Sequence, residues 1–227
     1  MEIMQIGLIG GIGPAATDFY YRSLIAAFAA RKLPLELTIA HADSPTLLSN
    51  LGRNDKAGQA QIFTRLTKRL ASAGANFVAI TSIAGHFCFD TFKAESPLPA
   101  VDMITEVNRA VAEAGFRRIG ILGTRTAMET RLYGRLTAAA IVPPAGRDLT
   151  DVHDAYVAMA ASGVVTEAQR SVFNTVSRRL LHDGAQAIML GGTDLALVYD
   201  QQTSEFPLID CASIHVDSIV RLALGQQ

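Results

Sequence analysis

Two short apolar runs in this chain end in small, hydroxyl or acidic residues, a pattern typical of ligand sites in open α/β sheets. Residues 77–80 leave no room for a helix and predict a strand that is buried on both faces. Thr81 and Ser82 follow at its carboxyl end, where backbone N–H groups face a crevice. Residues 187–190 form a second run of this kind and lead into residues 191–194. We expect any reactive centre to be built from these two strand ends.

The chain also repeats itself, which relates the two strand ends to each other. Residues 6–10 recur as residues 119–123, and residues 74–78 recur as residues 184–188, in the same order and at nearly the same offset. The sequence therefore predicts two similar α/β halves. On this alignment the position of Ser82 in the first half corresponds to that of Gly192 in the second.

Composition limits the classes of function. The chain has 227 residues, of which 49% are hydrophobic, and a net charge of −1, so no strong field attracts nucleic acid or an anionic membrane. Two cysteines suggest no disulfide framework and fit a reducing cytosol. We find no leader pattern and no uninterrupted apolar run of ~18 residues. We expect a cytoplasmic, enzyme-like protein with no membrane span.

Several loops are candidate walls of a pocket. Gly11, Gly13 and Pro14 form a turn that lets the backbone close on a small ligand. Its partial match to a dinucleotide fingerprint is discounted, because Glu36 opens the second strand where an acidic residue should end it. His41 stands at the end of that strand and is more typical of a structural residue.

In the second half, residues 124–126 (Thr-Arg-Thr) occupy the corresponding turn and could hold a carboxylate, with an N-cap threonine and a solvent-facing arginine as the alternative. Residues 143–151 are interpreted as a loop. Asp151, His153 and Asp154 follow it, but they lack a matching set of ligands, so we predict no metal site.

The predicted fold is α/β, with two pseudo-symmetric, Rossmann-like, three-layer domains and largely parallel sheets. The final strand and helix are expected to return to the first half. The first domain would then comprise residues 1–100 plus 208–227, and the second residues 101–207.

Four segments in the right order resemble the aspartate/glutamate racemase family, over residues 6–224. They are residues 7–14, residues 121–129 with Tyr133, residues 190–194 and residues 207–215. The resemblance implies a racemase that needs no cofactor, commonly a homodimer, with its small amino-acid or carboxylate substrate in a cleft between two domains. It further implies that two cysteines face opposite sides of the α-carbon, one removing a proton while the other delivers one.

This chain departs from the family pattern at both catalytic positions. When the motif is anchored on His86, the first thiol falls on Ser82 and the second on Gly192. Asp194 replaces the glutamate of the second motif and keeps its charge. The substrate-binding positions carried over by the resemblance are Gly11, Gly13, Pro14, Ile83, Ala84, Thr124, Thr126, Thr193 and Asp194.

The residues that replace the two family cysteines are poor acids or bases. A serine hydroxyl needs an adjacent base, and His86 is the nearest candidate for Ser82 in the sequence, whereas Gly192 cannot carry a proton. Cys211 is the reserve candidate because it lies at the end of the last strand, while Cys88 is interpreted as a packing residue.

Three hypotheses of different classes remain. The chain is an amino-acid racemase with unconventional acid/base groups, a one-sided lyase or decarboxylase that needs a single proton donor, or a homologue that binds a small carboxylate without turnover.

Overall fold

The computed structural model describes residues 3–226 as two compact α/β units. One unit includes the residues up to Met103 and those from His215 onward, and the other runs from Ile104 to Ile214. Within the described residues, no helix is both long enough and apolar enough to cross a membrane.

The first unit is built on a four-stranded parallel sheet in the order β2-β1-β3-β4. The two central strands, β1 and β3, are fully buried, which explains their continuous apolar sequence. The elements are β1 (Ile6–Gly10), α1 (Pro14–Ala30), β2 (Leu37–His41), α2 (Ser44–Gly52), α3 (Lys56–Ser72), β3 (Phe77–Ile80), a 3₁₀ helix (Ile83–Cys88), α4 (Phe89–Glu95) and β4 (Ala100–Val101).

The second unit repeats this plan with a parallel sheet in the order β6-β5-β7-β8. Its elements are α5 (Met103–Ala114), β5 (Arg118–Gly123), α6 (Arg125–Glu129), β6 (Ala140–Val142), α7 (Arg147–Ser162), α8 (Glu167–His182), β7 (Ala187–Gly191), a 3₁₀ helix (Thr193–Leu197) and β8 (Leu208–Asp210). The closing helix, α9 (Cys211–Ala223), begins in this unit and continues in the first. The predicted pair of similar parallel α/β halves is confirmed.

Helix ends are fixed by the residues that favour them. Thr166 forms a capping box with Gln169 at the start of α8, and Asp43 accepts a hydrogen bond from the backbone N–H of Thr46 at the start of α2. Pro14 occupies the first turn of α1, where its missing N–H is tolerated. The caps of α1 and α2 place these two helices directly after the ends of β1 and β2.

The core of the first unit contains a group of aromatic side chains. Phe63 of α3 meets Phe92 of α4 edge to face with ring centroids 5.7 Å apart, and Phe89 meets Phe92 in the same way at 6.2 Å. All three rings are buried, so α3 and α4 are held together beside β3.

Two expectations are corrected. Strand β8 was assigned to the first domain, but its residues pair with β7, so the chain returns to the first unit only at His215. The interpretation of residues 143–151 as a loop is wrong for its second half, because α7 begins at Arg147 and runs to Ser162. Its buried residues Leu149, Val152, Tyr156 and Met159 recur at helical spacing and anchor it to the unit.

Candidate functional site

Ser82 lies at the carboxyl end of β3, as predicted. Its backbone is extended, with φ −145° and ψ 131°, and 4% of the residue is exposed. Among the described residues its hydroxyl makes no hydrogen bond, whereas its carbonyl oxygen accepts one from the backbone N–H of Gly85. Ile83 and Ala84 follow in the 3₁₀ helix and are also buried. The first strand end therefore presents a small hydroxyl with little exposure.

His86 is hydrogen-bonded to backbone groups through both ring nitrogens. Nδ1 lies 2.9 Å from the carbonyl oxygen of Ser82, which can only accept, so Nδ1 carries the proton. Nε2 accepts from the backbone N–H of Met103 at 3.2 Å. Phe89 stacks on the ring with centroids 5.1 Å apart. In this tautomer His86 has no free lone pair for the Ser82 hydroxyl, contrary to its interpretation as the base.

A second buried histidine, His215, lies beside the first, with ring centroids 5.8 Å apart. Its Nε2 donates to the Val101 carbonyl oxygen at 3.3 Å, so its Nδ1 accepts from the Tyr20 hydroxyl at 2.9 Å. Burial, and then the neighbouring His86, lowers the pKa of His215 to about 3. The two rings thus hold the segment that leads from β4 into α5 through hydrogen bonds to Val101 and Met103.

The turn after β1 is closed tightly against the chain that follows β2. Gly11 has φ +133°, and a Cβ at this position would collide with the carbonyl oxygen of Ala42. The Gly11 carbonyl oxygen accepts a hydrogen bond from the Ser44 hydroxyl. Gly13 precedes Pro14 as the N-cap of α1. This geometry explains the glycine sequence by backbone conformation and close approach.

At the end of β7, Gly192 has nearly the same backbone as Ser82, with φ −144° and ψ 126°. Any residue can adopt these angles, so conformation does not require glycine here. Space does, because a Cβ at residue 192 would lie 2.6 Å from the Tyr156 hydroxyl oxygen and closer still to two atoms of its ring. The Tyr156 side chain of α7 therefore occupies the volume that a side chain at residue 192 would need.

Tyr156 is held in this position by Asp194. Its hydroxyl donates to the Asp194 carboxylate at 3.0 Å, and the two residues are 6% and 3% exposed. Burial, and then the negative charge of Asp194, raises the pKa of Tyr156 well above its usual range. The phenol is consequently neutral, its one proton is donated to Asp194, and it cannot serve as a base at neutral pH.

Thr193 lies between Gly192 and Asp194 and is 2% exposed. Its Oγ1 is buried and finds no hydrogen-bond partner among the described residues. A buried hydroxyl without a partner is unfavourable, so such a group is expected to meet a polar atom of a ligand or a water molecule.

The turn after β5 has a structural explanation. Thr124 caps α6 by accepting from the backbone N–H of Ala127 at 3.2 Å. The Arg125 guanidinium donates to Glu129 and to the Thr150 hydroxyl. Thr126 is exposed. These contacts match the alternative interpretation of residues 124–126, an N-cap threonine with an arginine on the surface.

Neither cysteine is poised as a nucleophile. Burial raises the pKa of Cys88 to about 12, and burial together with Asp210 raises the pKa of the Cys211 thiol. Both side chains are free thiols in the interior. The reserve role considered for Cys211 thus has no support from its surroundings. Within residues 3–226, no group of three or more His, Cys, Asp or Glu side chains is arranged to hold a metal ion.

Each unit therefore brings together part of the predicted set. Ser82 and His86 adjoin in the first unit, and Gly192, Thr193 and Asp194 adjoin in the second. Tyr156 was not predicted. The helical spacing of Leu149, Val152, Tyr156 and Met159 could have indicated a buried helix, but not the contact with residue 192.

Known proteins share both the sequence pattern and the fold. The profile of the Asp/Glu/hydantoin racemases matches residues 9–219. A crystal structure from Yersinia pestis, assigned to the Asp/Glu racemases, is 26% identical, with a TM-score of 0.85 over 99% of this chain and 100% of that one.

Two further structures share the fold at lower identity. An aspartate racemase homologue from Pyrococcus horikoshii is 24% identical, with a TM-score of 0.80 over 98% of this chain and 100% of that one. The aspartate racemase of Picrophilus torridus is 19% identical, with a TM-score of 0.77 over 98% and 95%. Since the family profile covers nearly the whole chain, the protein is a member of the Asp/Glu/hydantoin racemase family.

Proposed function

We propose that this protein binds a small carboxylate, with an acidic amino acid as the first candidate, and does not racemise it by a two-thiol route. The observation that carries the binding proposal is the Thr193 hydroxyl, which is buried directly after residue 192 and finds no partner within residues 3–226. A ligand carboxylate oxygen would supply the acceptor that this hydroxyl lacks. The family relationship supports the class of ligand.

The surroundings of Ser82 and Gly192 argue against two-sided proton transfer. The Ser82 hydroxyl has no base in His86, whose ring nitrogens are both bonded to backbone groups. Gly192 has no side chain, and the nearby Tyr156 phenol cannot accept a proton at neutral pH. Inversion of a stereocentre needs a proton acceptor on one face and a donor on the other.

Exchange of the α-proton in heavy water tests the absence of racemisation. We expect very slow loss of the α-proton NMR signal for both enantiomers of aspartate and glutamate. Fast exchange with inversion would contradict the proposal.

Thermal stabilisation by the same ligands tests binding, because a ligand that binds only the folded state raises the midpoint of unfolding. Thr193→Val keeps the shape of the side chain but removes the hydroxyl, so it should reduce this stabilisation. Thr203→Val, at an exposed threonine, is the matched control and should leave it unchanged. Equal stabilisation of wild type and Thr193→Val would refute the role of Thr193.

A one-sided lyase or decarboxylase is the second candidate, and the Ser82 hydroxyl, which makes no hydrogen bond to the residues that the structure describes, favours it. Such a reaction needs only one proton donor at the reacting carbon. Release of carbon dioxide from substituted malonates, abolished by Ser82→Ala, would support this candidate over binding alone. Absence of product from these substrates would rule it out for that substrate class.

The proposal also includes no cofactor and a homodimer, as the family resemblance implies, and a cytoplasmic location, which the two cysteines without a disulfide framework suggest. The net charge of −1 gives no reason to expect a nucleic-acid or membrane partner. Sedimentation equilibrium measures the oligomeric state, and a monomer at micromolar concentration would remove the homodimer from the proposal.

A further inference from the structure

We propose that Tyr156 determines the chemistry at the end of β7. Its ring occupies the volume of an acid/base side chain at residue 192, and its hydrogen bond to Asp194 holds the ring there, so that residue 192 carries no proton-transfer group. The inference deepens the proposed function and rests on it for the nature of the ligand. It also makes a claim about space that can be tested without any ligand.

Residue 192 is glycine because the surrounding atoms leave no space for a side chain. The backbone angles at Gly192 and Ser82 are nearly identical, and Ser82 carries a side chain without strain. The nearest atoms to a Cβ at 192 are three atoms of one side chain, Cε2, Cζ and the hydroxyl oxygen of Tyr156. A side chain at residue 192 therefore requires that this ring move or that a smaller side chain replace it.

The Tyr156 ring cannot move freely. Tyr156 is buried in α7, and its hydroxyl is tied to the Asp194 carboxylate. A rotation that cleared residue 192 would break this hydrogen bond to a charged group within the interior. Gly192 and Tyr156 are consequently coupled, because the tyrosine ring fits only when residue 192 has no side chain.

The pairing of Gly192 with Tyr156 also decides which chemistry is possible at this strand end. The phenol is kept neutral by burial and by Asp194, and its single proton is donated to that carboxylate, so Tyr156 offers an aromatic edge and does not act as a base. The buried Thr193 hydroxyl adjoins the same strand end. The Thr193 hydroxyl can donate to a ligand acceptor, and neither hydroxyl removes a proton from the ligand at neutral pH.

Stability measurements on four variants test the claim about space. Gly192→Cys should lower the midpoint of thermal unfolding by about 5 °C or more, because the ring overlaps the new side chain. The added change Tyr156→Phe should not rescue this loss, since the ring carbons remain. When Gly192→Cys is added to Tyr156→Leu, the midpoint should fall much less below that of Tyr156→Leu alone, since leucine lacks the overlapping atoms.

Gly52→Cys is the matched control for introducing a cysteine, because a Cβ at Gly52 meets no atom within 4 Å. It should leave the midpoint near that of the wild type. The proposal is overturned if Gly192→Cys lowers the midpoint by the same amount in the wild type and in the Tyr156→Leu variant.

Function is read from α-proton exchange of aspartate and glutamate in heavy water. Gly192→Cys with Tyr156→Leu gives the second strand end a thiol with room to reach a ligand, and exchange should rise by about a hundredfold over the wild type. Gly192→Cys with Tyr156→Phe should show no such rise. Equal exchange by these two double variants would overturn the role of the ring.

The two proposals fail in different ways. Coupling between residues 156 and 192 supports the claim about space whatever the ligand. If that coupling is found, and the thiol at 192 reacts with a soluble thiol reagent but no aspartate or glutamate exchanges, the proposed ligand class is wrong. The buried Cys88 and Cys211 provide a slow background for the reagent.

Discussion

The buried histidine pair predicts a loss of stability in acid that can be assigned to one residue. His215 has its pKa lowered to about 3, with the neighbouring groups His86, Asp102 and Tyr20 around it. The unfolded chain binds a proton at this histidine near pH 6.5, whereas the folded chain resists it until about pH 3. The stabilisation is therefore complete above pH 6.5 and is lost progressively as the pH falls towards 3.

The size of the effect follows from the two pKa values. Between them the free energy of unfolding should fall by about 1.4 kcal/mol per pH unit for this single group. On going from about pH 8 to about pH 5, His215 should account for a loss of about 2 kcal/mol. Both of its ring nitrogens are already hydrogen-bonded, so a second ring proton would have to displace the bond from the Tyr20 hydroxyl or reverse it.

Urea unfolding of wild type and His215→Gln at both pH values measures this loss. The variant should be less stable at about pH 8, and the difference from wild type should shrink by about 2 kcal/mol at about pH 5. His182→Gln removes a histidine whose side chain is 88% exposed and is the matched control. A difference between wild type and His215→Gln that stays constant over this pH range would refute the reasoning.

Three further substitutions test features of the fold. Thr166→Ala removes the capping box of α8 and should lower the free energy of unfolding by about 1 kcal/mol, while Thr166→Ser should be nearly neutral in the same urea titration. Gly11→Ala brings a methyl group against the Ala42 carbonyl in a left-handed conformation; a loss of about 1–3 kcal/mol is expected, and none from Gly52→Ala. Phe63→Ala should cost about 3–5 kcal/mol by leaving a cavity between α3 and α4, and a loss below about 1 kcal/mol would contradict the packing described.

The parallel α/β plan could be predicted from sequence because its signals are local. Residues 77–80 and 187–190 are continuous apolar runs, and buried parallel strands are the structures in which such runs occur. The internal repeat then implied that both halves share one plan, and the two sheets have the same order. Strand β8 was misplaced because three residues carry no information about which sheet they join.

The contacts that define the candidate site could not be predicted in the same way. Tyr156 and Gly192 come from different elements, and no spacing rule relates a residue of α7 to the end of β7. His86 was interpreted as a base because it follows Ser82 closely, but its Nε2 accepts from Met103, 17 residues away. Long-range hydrogen bonds of this kind decide the tautomer, and they become visible only when the chain is folded.

The matching orders of the two sheets have an evolutionary consequence. A chain made of two copies of one folding unit carries two independently mutable versions of every loop, so either version can drift while the other keeps the protein useful. The backbone at Ser82 is like that at Gly192, while the side chains around the two residues differ. A scaffold in this condition is a good starting point for catalysts whose two strand ends carry different chemistry.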